Sequence, residues 1–164
     1  MKAIKALVAV SATGKSFLAD LYPNRFIDID KIELAYAHGL PLHLPVPEDL
    51  WMRGLPKLNP NHRTFAFRQA IDALELGKIL LFAPHRYYIS FVRALGVPWC
   101  FVTRKAALDE EYAERQRNRK NPELFIQSAK PPSMDFIQAV QPTTVCILES
   151  GQYLSDLFQE KFLI

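Results

Sequence analysis

Residues 9–16, read as AVSATGKS, place a glycine, a lysine and a serine in the order that a phosphate-binding loop requires. In such a loop, successive backbone N–H groups and the positive end of the following helix surround an anion. Lys15, a predicted catalytic residue, would reach the β- and γ-phosphates of ATP, and the Ser16 hydroxyl would supply an oxygen to Mg²⁺. The pattern therefore predicts ATP and Mg²⁺ as cofactors. The residues predicted to bind the nucleotide are Ser11, Ala12, Thr13, Gly14, Lys15, Ser16 and Phe17.

The loop departs from the usual pattern at Ala9, where glycine is typical. Alanine is tolerated there because the last residue of a strand does not need a positive φ. Gly14 is present at the position where the backbone comes closest to phosphate. An apolar run over residues 6–10 and a helical pattern over residues 17–22 flank the loop, and this context distinguishes it from a chance Gly-Lys-Ser.

Two carboxylates, Asp28 and Asp30, close the second predicted strand, which covers residues 25–30. Period-two alternation would place both on one face, at the carboxyl edge of the sheet where the phosphate loop also lies. We predict that Asp28 binds metal or orients its water, and that the catalytic residue Asp30 accepts a proton from a substrate hydroxyl or holds a substrate group. The alternative is two solvated carboxylates, one of which caps the next helix.

A strongly charged helical pattern over residues 109–121 follows the fourth predicted strand. Tyr112, Arg115 and Arg119 are spaced i, i+3 and i+7, so they share one face of the helix. Arginines above a phosphate loop would neutralise charge on the transferring phosphoryl group, and we predict that Arg115 and Arg119 are catalytic residues on a lid over residues 104–121. The alternative is a solvated surface helix with internal ion pairs.

Three more polar residues follow predicted strands at the same edge. His85 and Arg86 come after the third strand, and Arg104 comes just after the fourth. Their position makes them candidates for gripping the phosphate or the base of an acceptor. Each of them would otherwise be an ordinary turn residue.

The elements that must position these residues alternate between strand and helix patterns. The predicted strands cover residues 5–10, 25–30, 78–83, 98–103 and 143–148. This alternation predicts an α/β fold with three layers, a five-stranded, mostly parallel sheet, a phosphate loop and a helical lid. A length of 164 residues favours a single domain over residues 1–164. Within it, residues 39–63 are rich in proline but too apolar for a linker, so we predict an ordered insertion over one rim of the domain.

Composition limits the function classes. An apolar content of 49% and a charged content of 23% are those of a globular protein. The net charge of +3 suits an anionic ligand without requiring nucleic acid. Cys100 and Cys146 lie in apolar runs, which favours reduced core thiols in a cytoplasmic protein. We expect no targeting segment and no membrane partner, because no apolar run reaches spanning length.

With these motifs, the chain resembles P-loop kinases of the nucleoside monophosphate kinase-like group, in which an arginine-bearing lid follows the fourth strand and a DxD-type motif closes the second. Shikimate, gluconate and phage polynucleotide kinases look similar around residues 28–30. Small phage-encoded nucleotide kinase-like proteins are more similar still, over nearly the whole chain except residues 39–63. The matching residues are Pro84-His85-Arg86, Gly96, Glu110-Glu111-Tyr112, Arg115, Asn118-Arg119 and Gly151-Gln152-Tyr153-Leu154-Ser155-Asp156. The chain departs from that group at Ala9, and at Pro84, where serine is usual in the group. The resemblance also places the insertion over residues 39–63 on the acceptor side, where these kinases hold their acceptor.

The resemblance implies an ATP- and Mg²⁺-dependent phosphotransferase whose partner is a nucleotide or nucleic-acid acceptor, with a (deoxy)nucleoside monophosphate as the first expectation. A kinase of a hydroxyl in DNA, at a 5′ end or on a modified base such as 5-hydroxymethyluracil, is a nearby alternative. Two alternatives belong to other classes: a non-catalytic ATP-binding module, and a structural α/β domain that binds no nucleotide. The sequence leaves the oligomeric state open.

Overall fold

The structure is a computed structural model that describes residues 3–31 and 60–161. Nearly all of the predicted insertion over residues 39–63 lies outside these ranges. The predicted ordering of that insertion, its place on the acceptor side and the single-domain organisation remain predictions.

Five strands form one sheet in the order β2-β3-β1-β4-β5. The strands are β1 (Ala6–Ala9), β2 (Phe26–Asp28), β3 (Ile79–Phe82), β4 (Trp99–Arg104) and β5 (Thr144–Leu148). Every neighbouring pair is parallel; in the register of the central strand, Val8 lies beside Phe82 on one side and Phe101 on the other. The predicted five-stranded α/β fold is confirmed.

Helices connect the strands. They are α1 (Lys15–Leu21), α2 (His62–Glu75), α3 (Arg86–Leu95), α4 (Asp109–Asn118), α5 (Glu123–Ser128), α6 (Met134–Ala139) and α7 (Leu154–Lys161). Two 3₁₀ turns, Ile29–Lys31 and Ala106–Leu108, follow β2 and β4. Among the residues that the structure describes, no helix is both long and apolar enough to cross a membrane.

The sheet is covered on both faces, which gives the three predicted layers. Side chains of β1 alternate, so Ala6 and Val8 contribute to one apolar cluster while Leu7 and Ala9 contribute to the other. The first cluster includes residues of α2, α3 and α6, and the second includes residues of α1, α4 and α7. Both cysteines are buried in the second cluster. Burial on both faces explains the nearly continuous apolar strands.

The parallel arrangement brings the predicted functional groups to one edge of the sheet. The phosphate loop follows β1, the two aspartates close β2, residues 83–86 follow β3, and Arg104 ends β4. The carboxyl ends of parallel strands form the crevice in which open α/β sheets bind ligands. The fold therefore places the four groups at the edge of the sheet where a ligand would bind.

Candidate active site

The loop between β1 and α1 turns on two residues with left-handed backbone, Ala12 (φ 62°) and Gly14 (φ 91°). A Cβ atom at Gly14 would lie 3.3 Å from Cδ1 of Tyr153. The position therefore requires glycine both for its φ and for the close approach of a ring. Thr13, between them, is fully buried. Its Oγ1 hydroxyl donates to the Val10 carbonyl at 2.9 Å, and its backbone carbonyl accepts the Leu154 N–H at 2.9 Å. These two hydrogen bonds of Thr13 hold the loop in place from its buried side.

The residue with a strained backbone in this loop is Ala12. Ala9 is fully buried in β1, a location that needs no positive φ, as the sequence predicts. Ala12, in contrast, occupies a region that costs an L-residue about 1–2 kcal/mol. Glycine is the residue that adopts this conformation without penalty. The sequence pattern marks Ala9 as a departure and gives no signal for the strain at Ala12, which is one of its unspecified positions.

Lys15 and Ser16 extend from the loop toward neighbouring strand ends. The Lys15 ammonium donates to the carbonyls of Ala9 at 3.0 Å and Val10 at 3.4 Å, so it lies across the loop. The Ser16 hydroxyl donates to Oδ2 of Asp28 at 2.7 Å. Asp28 is only 4% exposed. A hydroxyl and a carboxylate are therefore held side by side next to the lysine.

These two oxygen ligands fit Mg²⁺. No cluster of three or more His, Cys, Asp or Glu side chains able to hold a metal is found within residues 3–31 and 60–161. Mg²⁺ does not need such a cluster, because it is bound by one or two protein oxygens together with phosphate oxygens and water. The Ser16–Asp28 pair could supply that number, and its predicted role as a metal site stays a prediction.

Asp28 and Asp30 are neighbours because of a turn, not because of the alternation of side chains along a strand. β2 ends at Asp28, and Asp30 belongs to the 3₁₀ turn Ile29–Lys31. The Asp30 N–H donates to Oδ1 of Asp28 at 3.1 Å. The prediction that both residues share one face of a strand is therefore wrong, although the turn places the two carboxylates next to each other.

Asp30 has the properties of a proton acceptor at neutral pH. Burial raises its pKa from 3.8 to about 7; the nearby Lys15 lowers it, Asp28 raises it further, and a hydrogen bond from the Ala83 backbone lowers it. Its Oδ1 atom is buried and has no hydrogen-bond partner among the described residues. A carboxyl group that exchanges its proton near pH 7 and has an acceptor position open can take a proton from a bound hydroxyl.

His85 and Arg86 begin α3 at the same edge. His85 precedes the helix, and its ring lies parallel to that of Tyr87, with centroids 5.4 Å apart and planes 7° apart. Partial burial and then the positive charges of Lys15, His62 and Arg63 lower the pKa of His85. The predicted role of His85 on the phosphate or the base of an acceptor stays a prediction. Arg86 is exposed, and its role as an acceptor ligand stays a prediction.

A stack of alternating guanidinium and phenol groups connects α4 to the phosphate loop. Arg104 and Arg115 both lie over the Tyr112 ring, 4.6 and 4.4 Å from its centroid. Arg115 also lies 4.0 Å from the centroid of Tyr153, the ring that approaches Gly14. No sequence signal marks Tyr153 for this contact, because its neighbours in space are far away in the chain.

Glu111 fastens this stack to the loop before α7. Its carboxylate accepts the Gly151 N–H at 3.0 Å and the Ser150 hydroxyl at 2.8 Å, and it pairs with Arg115. These hydrogen bonds lower the pKa of Glu111. Arg115 also donates to the Gln152 carbonyl at 3.0 Å. Arg115 is therefore bound on several sides by protein groups, and its predicted action on phosphate stays a prediction.

The other two predicted arginines lie in different surroundings. Arg104 is buried, with an ion pair to Asp109, and its role as a substrate ligand stays a prediction. Arg119 is exposed and follows the last residue of α4, so it does not extend the helical face that Tyr112 and Arg115 share. The catalytic role of Arg119 and the lid over residues 104–121 stay predictions.

Comparisons with known proteins add little to this geometry. No protein-family model and no curated protein matches the chain. Solved structures that match include a gluconokinase from Sinorhizobium meliloti 1021, with a TM-score of 0.49 and 20% sequence identity over 97% of this chain and 88% of that one. The fold assignment rests on the strand order and the phosphate loop described above, not on this similarity. The resemblance to phage-encoded proteins stays a prediction.

Proposed function

We propose that this chain transfers the γ-phosphoryl group of ATP to an oxygen of a nucleotide-type acceptor. The observation that carries the proposal is the buried carboxyl of Asp30, which lies near Lys15 and next to the Ser16–Asp28 pair. A phosphate loop, a pair of oxygen ligands for Mg²⁺ and a proton acceptor are the parts that phosphoryl transfer requires.

The loop residues hold the phosphates of ATP in this proposal. Loop amides that turn toward an anion bind its oxygens, and the Lys15 ammonium, which lies across the loop, adds a positive charge to the β- and γ-phosphates. Ser16 and Asp28 would hold Mg²⁺, which when bound neutralises charge on the phosphate oxygens. The buried Thr13 and the contact between Tyr153 and Gly14 keep the loop in its shape.

Asp30 takes the proton that the reaction releases. The acceptor oxygen forms a bond to the γ-phosphorus while the bond from that phosphorus to the bridging oxygen of ADP breaks. The proton of the acceptor hydroxyl moves to the open Oδ1 atom of Asp30 and then to solvent. A carboxyl with a pKa of about 7 is suited to both steps at neutral pH.

This role favours a hydroxyl over a phosphate as the accepting group. A phosphate monoester has mostly lost its protons at pH 7, so it has little need of a base. Its charge would also be repelled by Asp30 whenever that carboxyl is ionised. A hydroxyl on a nucleoside, at the 5′ end of DNA or on a modified base satisfies Asp30 better than the nucleoside monophosphate that the resemblance implies.

Transfer of label from ATP tests the proposal. The purified chain would be incubated with labelled Mg-ATP and, separately, thymidine, a 5′-hydroxyl oligonucleotide and the four deoxynucleoside monophosphates. We expect a labelled product with at least one hydroxyl acceptor, reduced roughly 100-fold or more in Lys15→Ala. Lys78→Ala is the matched control, because Lys78 precedes β3 at the opposite end of that strand.

Two results would overturn the proposal. One is transfer at an undiminished rate in Lys15→Ala. The other is binding of Mg-ATP without transfer to any of these acceptors, which would favour the ATP-binding module instead.

A further inference from the structure

A stack of His85 on Tyr87, with the Arg63 guanidinium also over the Tyr87 ring, lies at the start of α3. The guanidinium carbon of Arg63 lies 4.4 Å from the centroid of the Tyr87 ring. The His85 imidazole is parallel to the same ring, with a 7° angle between planes and 5.4 Å between centroids. His85 is exposed, while Tyr87 is partly buried. His85 therefore presents its ring to solvent, and the partly buried Tyr87 ring fixes its orientation.

The stack lies beside the proposed proton acceptor. The Ala83 backbone forms a hydrogen bond with the Asp30 carboxylate. The backbone N–H of His85 donates to the Ala83 carbonyl at 2.8 Å. Tyr88 is fully buried and packs against Tyr87 with 4.3 Å between ring centroids, and the charge of Asp30 contributes to raising its pKa. Ala83 thus connects the backbone of His85 to the Asp30 carboxylate, and the charge of Lys15 acts on both side chains, so both belong to the same edge of the site.

An exposed imidazole in this setting is suited to stacking on another flat ring. Burial of part of the ring, and after it the nearby positive charges, lower the pKa of His85 and so favour its neutral form, which offers an aromatic face and little charge to an anion. Nucleobases all have such a face, and stacking on an aromatic side chain strengthens binding substantially whatever the base. A sugar or sugar acid has no flat ring to place there.

We infer that the phosphoryl acceptor carries a nucleobase that stacks on His85, and that this contact distinguishes nucleotide-type acceptors from sugars. The inference rests on the proposed function only for the identity of the ligand as the acceptor. The stacking itself is a binding event that needs no ATP, and it can be measured without phosphoryl transfer.

Binding measured without ATP tests the inference with two sources of the base. The first pair of probes is dTMP and its base-free counterpart, 2-deoxyribose 5-phosphate. The second pair is a 5′-hydroxyl thymidine pentanucleotide and the same oligonucleotide with an abasic first nucleotide. Dissociation constants for both pairs would be determined by calorimetry for wild type, His85→Ala and His85→Phe. Ser90→Ala, exposed on α3, is the matched control.

We expect the base-bearing probe of at least one pair to bind about tenfold more tightly than its base-free partner. His85→Ala should remove that difference, while His85→Phe and Ser90→Ala should keep it. The pair that shows the difference identifies the source of the base. Thermal melts of all variants verify that they are folded.

Several results would overturn the inference: equal binding of base-bearing and base-free probes, an unchanged difference in His85→Ala, loss of the difference in His85→Phe, or no binding of any probe. Failure of the proposed function gives another pattern, since base-dependent binding would persist without transfer of label. Transfer without base-dependent binding would leave the function standing and remove His85 from it.

Discussion

Asp30 shows at the scale of one residue how a buried carboxyl opposes stability once it ionises. Its pKa is raised from 3.8 to about 7 in the folded chain, chiefly by burial. Between these pH values the folded state binds more protons than the unfolded state, so the contribution of Asp30 to stability is fully present below pH 4 and is lost as pH rises through about 7. At neutral pH the protein therefore keeps a carboxylate that costs free energy of folding.

The Asp30→Asn variant should reveal this cost. We expect its melting temperature to exceed that of wild type at pH 8, because a neutral amide replaces a buried carboxylate, and we expect a smaller difference at pH 5, where wild-type Asp30 is protonated. Thermal melts at both pH values measure it, with the exposed Asp72→Asn as control. An equal effect at the two pH values would show that Asp30 does not titrate as described.

Ala12 supports a second prediction at this scale. Its φ of 62° belongs to the region where glycine is unstrained. We expect Ala12→Gly to increase the free energy of unfolding by up to about 1 kcal/mol, measured by urea denaturation. The control is Ala94→Gly, at an exposed position in the right-handed helix α3, which should lose about 0.5–1 kcal/mol. A loss of similar size at both positions would contradict the strain.

At the scale of elements, α4 and the turn before α7 are joined directly to the phosphate loop. Glu111 binds the backbone of that turn, Arg115 lies between two phenol rings, and the second ring, Tyr153, approaches Gly14. Three segments that are far apart in the chain thus share one packed contact. A change in any of them should alter how well the loop holds phosphate.

Removing the Tyr153 ring tests this connection. We expect Tyr153→Ala to weaken Mg-ATP binding about tenfold, because the loop loses the ring at Gly14 and Arg115 loses a cation–π partner. Tyr153→Phe retains the ring and should bind nearly as wild type does. Isothermal titration with Mg-ATP measures both. Equal affinity in the two variants would mean that the ring does not support the loop.

At the scale of the whole molecule, much of the fold could be predicted because its signals are local. Apolar runs separated by helical patterns identify the five strands, and parallel strands bring their carboxyl ends to one edge. The site could be predicted only in part. The turn after β2 brings Asp30 to Asp28 where strand alternation was expected, and the contact between Gly14 and Tyr153 joins distant parts of the chain. Such contacts depend on packing, which no short motif encodes.

The pH dependence of phosphoryl transfer tests the central claim most directly. With a hydroxyl acceptor, kcat/KM should rise with pH through an apparent pKa near 7, as Asp30 loses its proton, and then level off. Asp30→Asn should transfer roughly 100-fold more slowly or worse, without that rise. A variant that keeps the same rise, or a rate close to that of wild type, would contradict the assignment of Asp30 as the proton acceptor.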